Sequence, residues 1–174
     1  MQPFELVKYC PRCGQTSADD KPVIPFRCGS CGLELYFNPT VSVSAFVFQE
    51  DGKVLLIRRA KAPGKGLLGT IGGFIDAGET AEAALVREIR EEVHLEITRM
   101  EFLTSAPNNY TYAGITYPVL DLFFVCWTET SQSARTSTEA LALVRQKISE
   151  LQPDEMAFDS MRQALLILKS KHTG

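Results

Sequence analysis

The pattern of apolar and polar positions along the chain changes its period from element to element. Residues 40–49, TVSVSAFVFQ, alternate and then run apolar, which predicts a strand. Glu50, Asp51, Gly52 and Lys53 carry turn chemistry, and residues 54–57 return as a second strand. Residues 96–105 and 116–127 read as two more strands, and the segment between them has a hairpin signal at Ala113 and Gly114. Two stretches switch to the helical period. Leu85, Ile89 and Val93 recur at i, i+4 and i+8 behind Thr80, a good N-cap, with Glu82 in the first turn where the helix dipole favours it. Met161, Ala164, Leu165 and Leu168 recur at i, i+3, i+4 and i+7 and predict a helix over residues 159–170, packed on the core. Residues 139–144 fit either period, and residues 128–138 read as a polar loop.

Composition changes this picture little. A chain of 174 residues with 45% hydrophobic and 22% charged positions is long enough for one globular domain and a small appendage. The formal charge of −3 argues against a general polyanion binder. No run of about 18 apolar residues occurs, and residues 1–10 lack the basic and apolar regions of a signal peptide. A soluble, cytoplasmic protein without membrane contact is expected.

The cysteines add a second domain. Cys10 and Cys13, with two residues between them, are followed after a spacer by Cys28 and Cys31 in the same arrangement, and Gly14 follows the first pair and Gly32 the second. This spacing matches a four-thiolate tetrahedral zinc site whose glycines let the backbone turn around the sulfurs. Two disulfides would need an oxidising compartment that nothing in the sequence suggests. The predicted boundaries are a zinc ribbon over 1–38, which the metal stabilises, and a second domain over 39–174. Within 1–38 the four basic residues Lys8, Arg12, Lys21 and Arg27 balance Glu5, Asp19, Asp20 and Glu34. Phosphate-backbone binding wants a basic balance, so nucleic acid is not the expected partner and a structural role is. Cys126, inside the apolar run LFFVCW, reads as a buried core thiol.

Residues 72–95, GGFIDAGETAEAALVREIREEVHL, carry the candidate chemistry. Glu88, Glu91 and Glu92 stand at i, i+3 and i+4 and share one arc of the helix, an arrangement that is mildly unfavourable unless a cation covers it. Ala81 and Ala84, one turn earlier on that face, are short enough to leave a cleft above it. Arg58, Arg59 and Lys61 lead into the loop APGKGLLG, where basic groups beside glycines suit either a phosphate or plain solvent. Asn108, Asn109 and Tyr110, with Tyr112 and Tyr117, make residues 108–117 the candidate loop for recognising a base or sugar, or an ordinary polar hairpin tip.

The segment resembles the Nudix box of the Nudix hydrolases: Gly73, Glu79, Arg87, Glu88, Ile89, Glu91, Glu92 and Leu95 match its pattern, and His94 stands where the family has Gly. His tolerates positive φ better than most residues, so the departure touches the helix end and not the metal site. The resemblance implies an α+β fold, an α/β/α sandwich with a mixed sheet, and a pyrophosphate hydrolase dependent on Mg2+ or Mn2+. It implies Glu88 and Glu92 as main ligands, Glu91 as a shared or second-site ligand, and the Gly72 carbonyl completing the shell. It also pairs Arg87 with Glu79 to hold the glutamates; helical geometry points Arg87 away from the patch. A later glutamate commonly serves as general base, and Glu139 is the choice here.

A zinc ribbon ahead of such a domain is similar to the NADH pyrophosphatase branch, although where that branch carries Ser-Gln-Pro-Trp-Pro-Phe-Pro this chain offers Ser105, Ala106, Pro107, Asn108 and Asn109. The implied substrate is a nucleoside diphosphate linked to a second group, NAD(H), ADP-ribose or similar; many relatives dimerise, so a homodimer is compatible with the resemblance. The alternative is a regulatory module that binds a nucleotide and contacts a partner through the ribbon.

Overall fold

The structure, a computed structural model, describes residues 1–16, 24–128, 134 and 140–172. Contacts divide it into two compact units, Met1–Thr40 with Asn109–Pro118, and Val41–Asn108 with Val119–Gly174.

The first unit has little regular structure. Strands β1 (Phe26–Arg27) and β2 (Glu34–Leu35) pair antiparallel. The small core gathers Cys10, Phe26 and Cys28 with Val7, Leu33, Leu35 and Phe37 around it. Each cysteine pair sits on a knuckle in which a glycine amide returns to the first cysteine carbonyl, Gly14 to Cys10 at 2.9 Å and Gly32 to Cys28 at 3.0 Å.

The six-stranded sheet contains β3 (Thr40–Phe48), β4 (Val54–Arg59), β5 (Leu68–Gly69), β6 (Ile97–Tyr112), β7 (Ile115–Thr128) and β8 (Ala140–Gln146). Its order is β5-β4-β3-β7-β6, with β8 also on β4. The β3–β4, β4–β5 and β4–β8 ladders are antiparallel, and a parallel bridge joins Leu68 to Met156. Helices α1 (Ala81–Val93) and α2 (Asp159–His172) cover the two faces.

The alternation along each central strand decides which helix each residue meets. Val43, Ala45 and Val47 of β3 and Leu55 and Ile57 of β4 join Leu85, Ile89 and Val93 of α1. Phe46 and Phe48, with Val54 and Leu56, join Met161, Ala164, Leu165 and Leu168 of α2. Strands buried on both faces read as continuous apolar runs, which is why AFVF and VLLI lose their alternation in the sequence. The result is the expected α/β/α sandwich.

Several boundaries differ from the sequence reading. Arg58 and Arg59 belong to β4 and do not open the loop, because their backbone pairs with β5 and β8. Residues 139–144 resolve as strand from Ala140 onward, since β4 offers a free edge. β6 runs past residue 105 to Tyr112, into the hairpin that Ala113 and Gly114 signalled: these two take φ of 50° and 79°, as a two-residue turn with positive φ at both positions requires, and the Thr111 and Thr116 hydroxyls meet across it at 2.9 Å. Ala84 is fully buried in the α1 core and opens no cleft. Cys126 is buried, and burial pushes its thiol up to about 12.

Candidate active site

Residues 71–75 lie along β3 and are fixed by backbone bonds, Ala45 N to Ile71 O at 2.7 Å, Val43 N to Gly73 O at 2.9 Å and Ile75 N to Val41 O at 3.1 Å. The approach is so close that a Cβ on Gly72 would lie 2.1 Å from the Val43 carbonyl oxygen, and its φ of 147° is one that side chains rarely adopt. From this turn α1 starts at Thr80, whose side-chain oxygen accepts from the Ala83 amide at 3.2 Å. It ends at His94, held in the left-handed region at φ 56°, ψ 39°, with its amide bonded to the Arg90 carbonyl.

The turn and the helix lock together through the glutamates. Glu92 Oε2 accepts the Gly72 amide at 3.0 Å. Glu88 packs against Gly73 so closely that an added Cβ would lie 2.5 Å from Oε1. The exposures differ: the Glu88 side chain is 15% exposed and that of Glu91 62%. Burial raises the Glu88 carboxyl above the usual range against the pull of Arg87, and Glu91 and Asp76 add to the rise.

Arg87 does not point away from this patch. Its long side chain folds back to bind Glu79 with both branches, Nε to Oε1 at 2.8 Å and Nη2 to Oε2 at 2.9 Å. The guanidinium also donates to Glu88 Oε1 at 2.7 Å, to the Phe74 carbonyl at 3.1 Å and to Glu91 Oε2 at 3.4 Å. The Arg87 bond, with the Asp76 amide donating at 3.0 Å, holds the Glu79 carboxyl down at about 2. One guanidinium therefore answers Glu79, Glu88 and Glu91, with Asp76 at 4.0 Å. The patch retains a negative excess that suits a hard divalent cation bound through oxygen.

Other candidates fall elsewhere. The Arg58 and Arg59 guanidiniums bond loop carbonyls, Nη1 to Gly66 at 2.7 Å and Nε to Pro63 at 2.9 Å, and Arg59 lies 5.0 Å over the Phe158 ring. Asn108 lies in the unit that carries the glutamates, whereas Asn109 and Tyr110 belong to the unit with the cysteines. Glu139 and most of residues 128–138 lie outside the described residues.

The sequence reading passed over Asp121. This carboxylate is buried in β7 and accepts from Asn108 Nδ2 at 2.9 Å, from Ser160 Oγ at 2.5 Å and from the Ser42 hydroxyl. Its signal was available, as the one charged residue within the apolar stretch TYPVLDLFFVCW. A buried carboxylate needs such donors, so Asp121 ties Asn108, β3 and the start of α2 together.

The four cysteines form a second possible metal centre. Tetrahedral Zn–S bonds of about 2.3 Å place sulfurs about 3.8 Å apart. Here Cys10 and Cys31, and likewise Cys13 and Cys28, are 3.6 Å apart, and all four sulfurs lie within 4.8 Å of one another. All four thiols are free, not joined as disulfides. Backbone amides of Cys31 and Ser30 lower the Cys28 thiol to about 6, which favours the thiolate that a metal takes.

A model of the NUDIX domain matches residues 38–165. The chain is 35% identical over 99 residues, 56% of its length, to an NAD-capped RNA hydrolase NudC from Pseudomonas aeruginosa, of which the match covers 34%. It is 48% identical over 61 residues to an ADP-ribose pyrophosphatase from Methanocaldococcus jannaschii, covering 35% of this chain and 36% of that protein. The chain thus spans about a third of the length of these curated relatives. A crystal structure of a NUDIX hydrolase from Nitrosomonas europaea superposes with a TM-score of 0.68 at 24% identity, covering 95% of this chain and 93% of that one, which speaks for the fold.

Proposed function

Because the chain belongs to the NUDIX domain family, we propose that it is a Mg2+-dependent pyrophosphohydrolase, with Mn2+ as a substitute, acting on a nucleoside diphosphate linked to a second group. NAD(H) and ADP-ribose are the leading candidates, supported by the names of the relatives. The observation that carries the reading is the interlock of turn and helix, with the Gly72 amide on Glu92 and Gly73 against Glu88.

Glu88 and Glu92 would hold the cation, with Glu91 at a shared or second position and the Gly72 carbonyl as a further ligand. A bound Mg2+ supplies charge neutralisation at the phosphates and lowers the pKa of water at the site. Arg87 and Glu79 position the glutamates, each fixing the other, and Glu139 is assigned as the general base that takes the proton from the attacking water. Water adds to phosphorus, the anhydride P–O bond breaks, and two phosphate monoesters leave. Substrate recognition is assigned to Arg58, Arg59, Asn108, Asn109 and Tyr110, with Asp121 supporting Asn108.

Residues 1–38 are taken as a zinc-binding domain and 39–174 as the hydrolase domain of a cytoplasmic protein, with which a homodimer is compatible. The described residues contain no helix long and apolar enough to cross a membrane.

The test is phosphate release, with a phosphatase coupled, across NADH, ADP-ribose, FAD, nucleoside triphosphates and sugar nucleotides. Metal-dependent release from a dinucleotide or ADP-ribose is expected. Tight binding of one of these with no release from any would contradict hydrolysis and favour the regulatory module. Mn2+ binding followed by electron paramagnetic resonance should weaken on replacing Glu88 or Glu92, independently of turnover.

A further inference from the structure

The unit that carries the cysteines contains a cavity of about 310 Å³, at the small end of the range for small-molecule sites. Every lining residue belongs to Met1–Thr40 or Asn109–Pro118, and none takes part in the carboxylate centre. Aromatic rings dominate the wall: Phe4, Tyr36, Phe37 and Tyr117, with the amides of Gln2 and Asn38 beside them. Phe4 and Phe37 are engaged with each other edge to face, centroids 6.2 Å apart at 64°. Tyr36 and Tyr117 have no ring partner among the described residues, and Tyr36 is 59% exposed with its hydroxyl bonded to Glu34 at 3.1 Å.

This lining selects among ligand classes. None of the lining residues is charged, so a phosphate or carboxylate would find no cation there. An aliphatic ligand would leave the amides and hydroxyls desolvated without partners. A flat, uncharged ring with hydrogen-bonding edges satisfies both kinds of group, since it stacks on tyrosine and pairs with an amide. We propose that this cavity, whose lining shares no residue with the carboxylate centre, is a binding site for an unpaired nucleobase. Recognition through the base alone also fits the balanced charge of residues 1–38, which gives a phosphate backbone no electrostatic hold.

The base can come from a free nucleoside or from single-stranded RNA, and the same experiment distinguishes them. The zinc-loaded full chain is photolabelled with 8-azidoadenosine, which has no pyrophosphate to hydrolyse, and the adducts are mapped. Labelling of peptides that carry Tyr36 or Tyr117 is expected, with competition by adenosine and by a short single-stranded oligoadenylate but not by ribose 5-phosphate. The tighter competitor identifies the source. Y36A and Y117A should each weaken adenosine binding about fivefold or more, while Y36F, which keeps the ring, should bind as the wild type does. Zinc content of each variant checks that the unit is intact. Labelling confined to other peptides, or undiminished adenosine binding in both alanine variants that retain zinc, would overturn the proposal. A wild-type chain that hydrolyses nothing would sink the proposed activity and leave this labelling pattern untouched.

Discussion

Adjacent glycines at 72 and 73 have opposite roles. The Cβ of alanine at Gly72 would run into backbone, the Val43 carbonyl at 2.1 Å, whereas at Gly73 it would meet the movable end of Glu88 at 2.5 Å. G72A should therefore destabilise the fold by about 3 kcal/mol or more, seen in denaturant unfolding, because the strand pairing must open. G73A should keep most of the stability but displace Glu88, lowering kcat about tenfold or more. Equal stabilities for the two variants would contradict this. Glu79 gives a pH signature. Its carboxyl is depressed in the folded state, so the pair with Arg87 stabilises the protein fully above the ordinary value of 4.5 and progressively less as pH falls toward about 2. The melting temperature of the wild type should exceed that of E79Q at neutral pH, and the gap should close on acidification through that window. A gap unchanged at low pH would contradict the assignment. The types and spacing of these residues were legible in the sequence, but the bearing of Arg87 was not. Helical angle fixes where a Cβ leaves the axis, and a long arginine side chain can still curl back over its neighbours.

Among the elements, α1 was read with the greatest fidelity, from the Thr80 cap to the buried Leu85, Ile89 and Val93. Its end carries the one departure from the motif. His94 sits at φ 56°, a conformation that costs a non-glycine residue about 1–2 kcal/mol. H94G should thus raise the melting temperature by about 1–3 °C after the extra freedom that glycine gives the unfolded chain is offset. A lower melting temperature would mean that the His94 side chain contributes a contact worth more than the strain. The strands were harder to delimit. Asparagine and tyrosine at 108–112 suggested a loop, but the Ala113 and Gly114 turn brings the flanking segments into register and lets β6 and β7 run on. Propensity yields there to cross-strand pairing. Asp121 was missed for a related reason: the three donors that make a buried carboxylate acceptable come from β3, β6 and α2, far apart in sequence.

For the whole molecule, the proposed function gives two metals two separate purposes. The cysteine unit has a core of only a few side chains, so a bound zinc should supply much of its stability. About one tightly held zinc per chain is expected by elemental analysis, and a strong chelator should abolish the amide protection of residues 1–38 in hydrogen exchange. A zinc-free chain with the same protection would contradict a structural role for that metal. The glutamate centre instead leaves Glu91 exposed while Glu88 is largely covered, and it keeps a negative excess, as a site that would admit substrate with a cation needs. That centre is tested most directly by E92Q, assayed for metal-dependent hydrolysis of whichever dinucleotide or ADP-ribose substrate the wild type cleaves best. The expected result is a loss of kcat of at least about a hundredfold, with the circular dichroism spectrum of the wild type retained. Full turnover by a folded E92Q would contradict the assignment of these glutamates as the cation site.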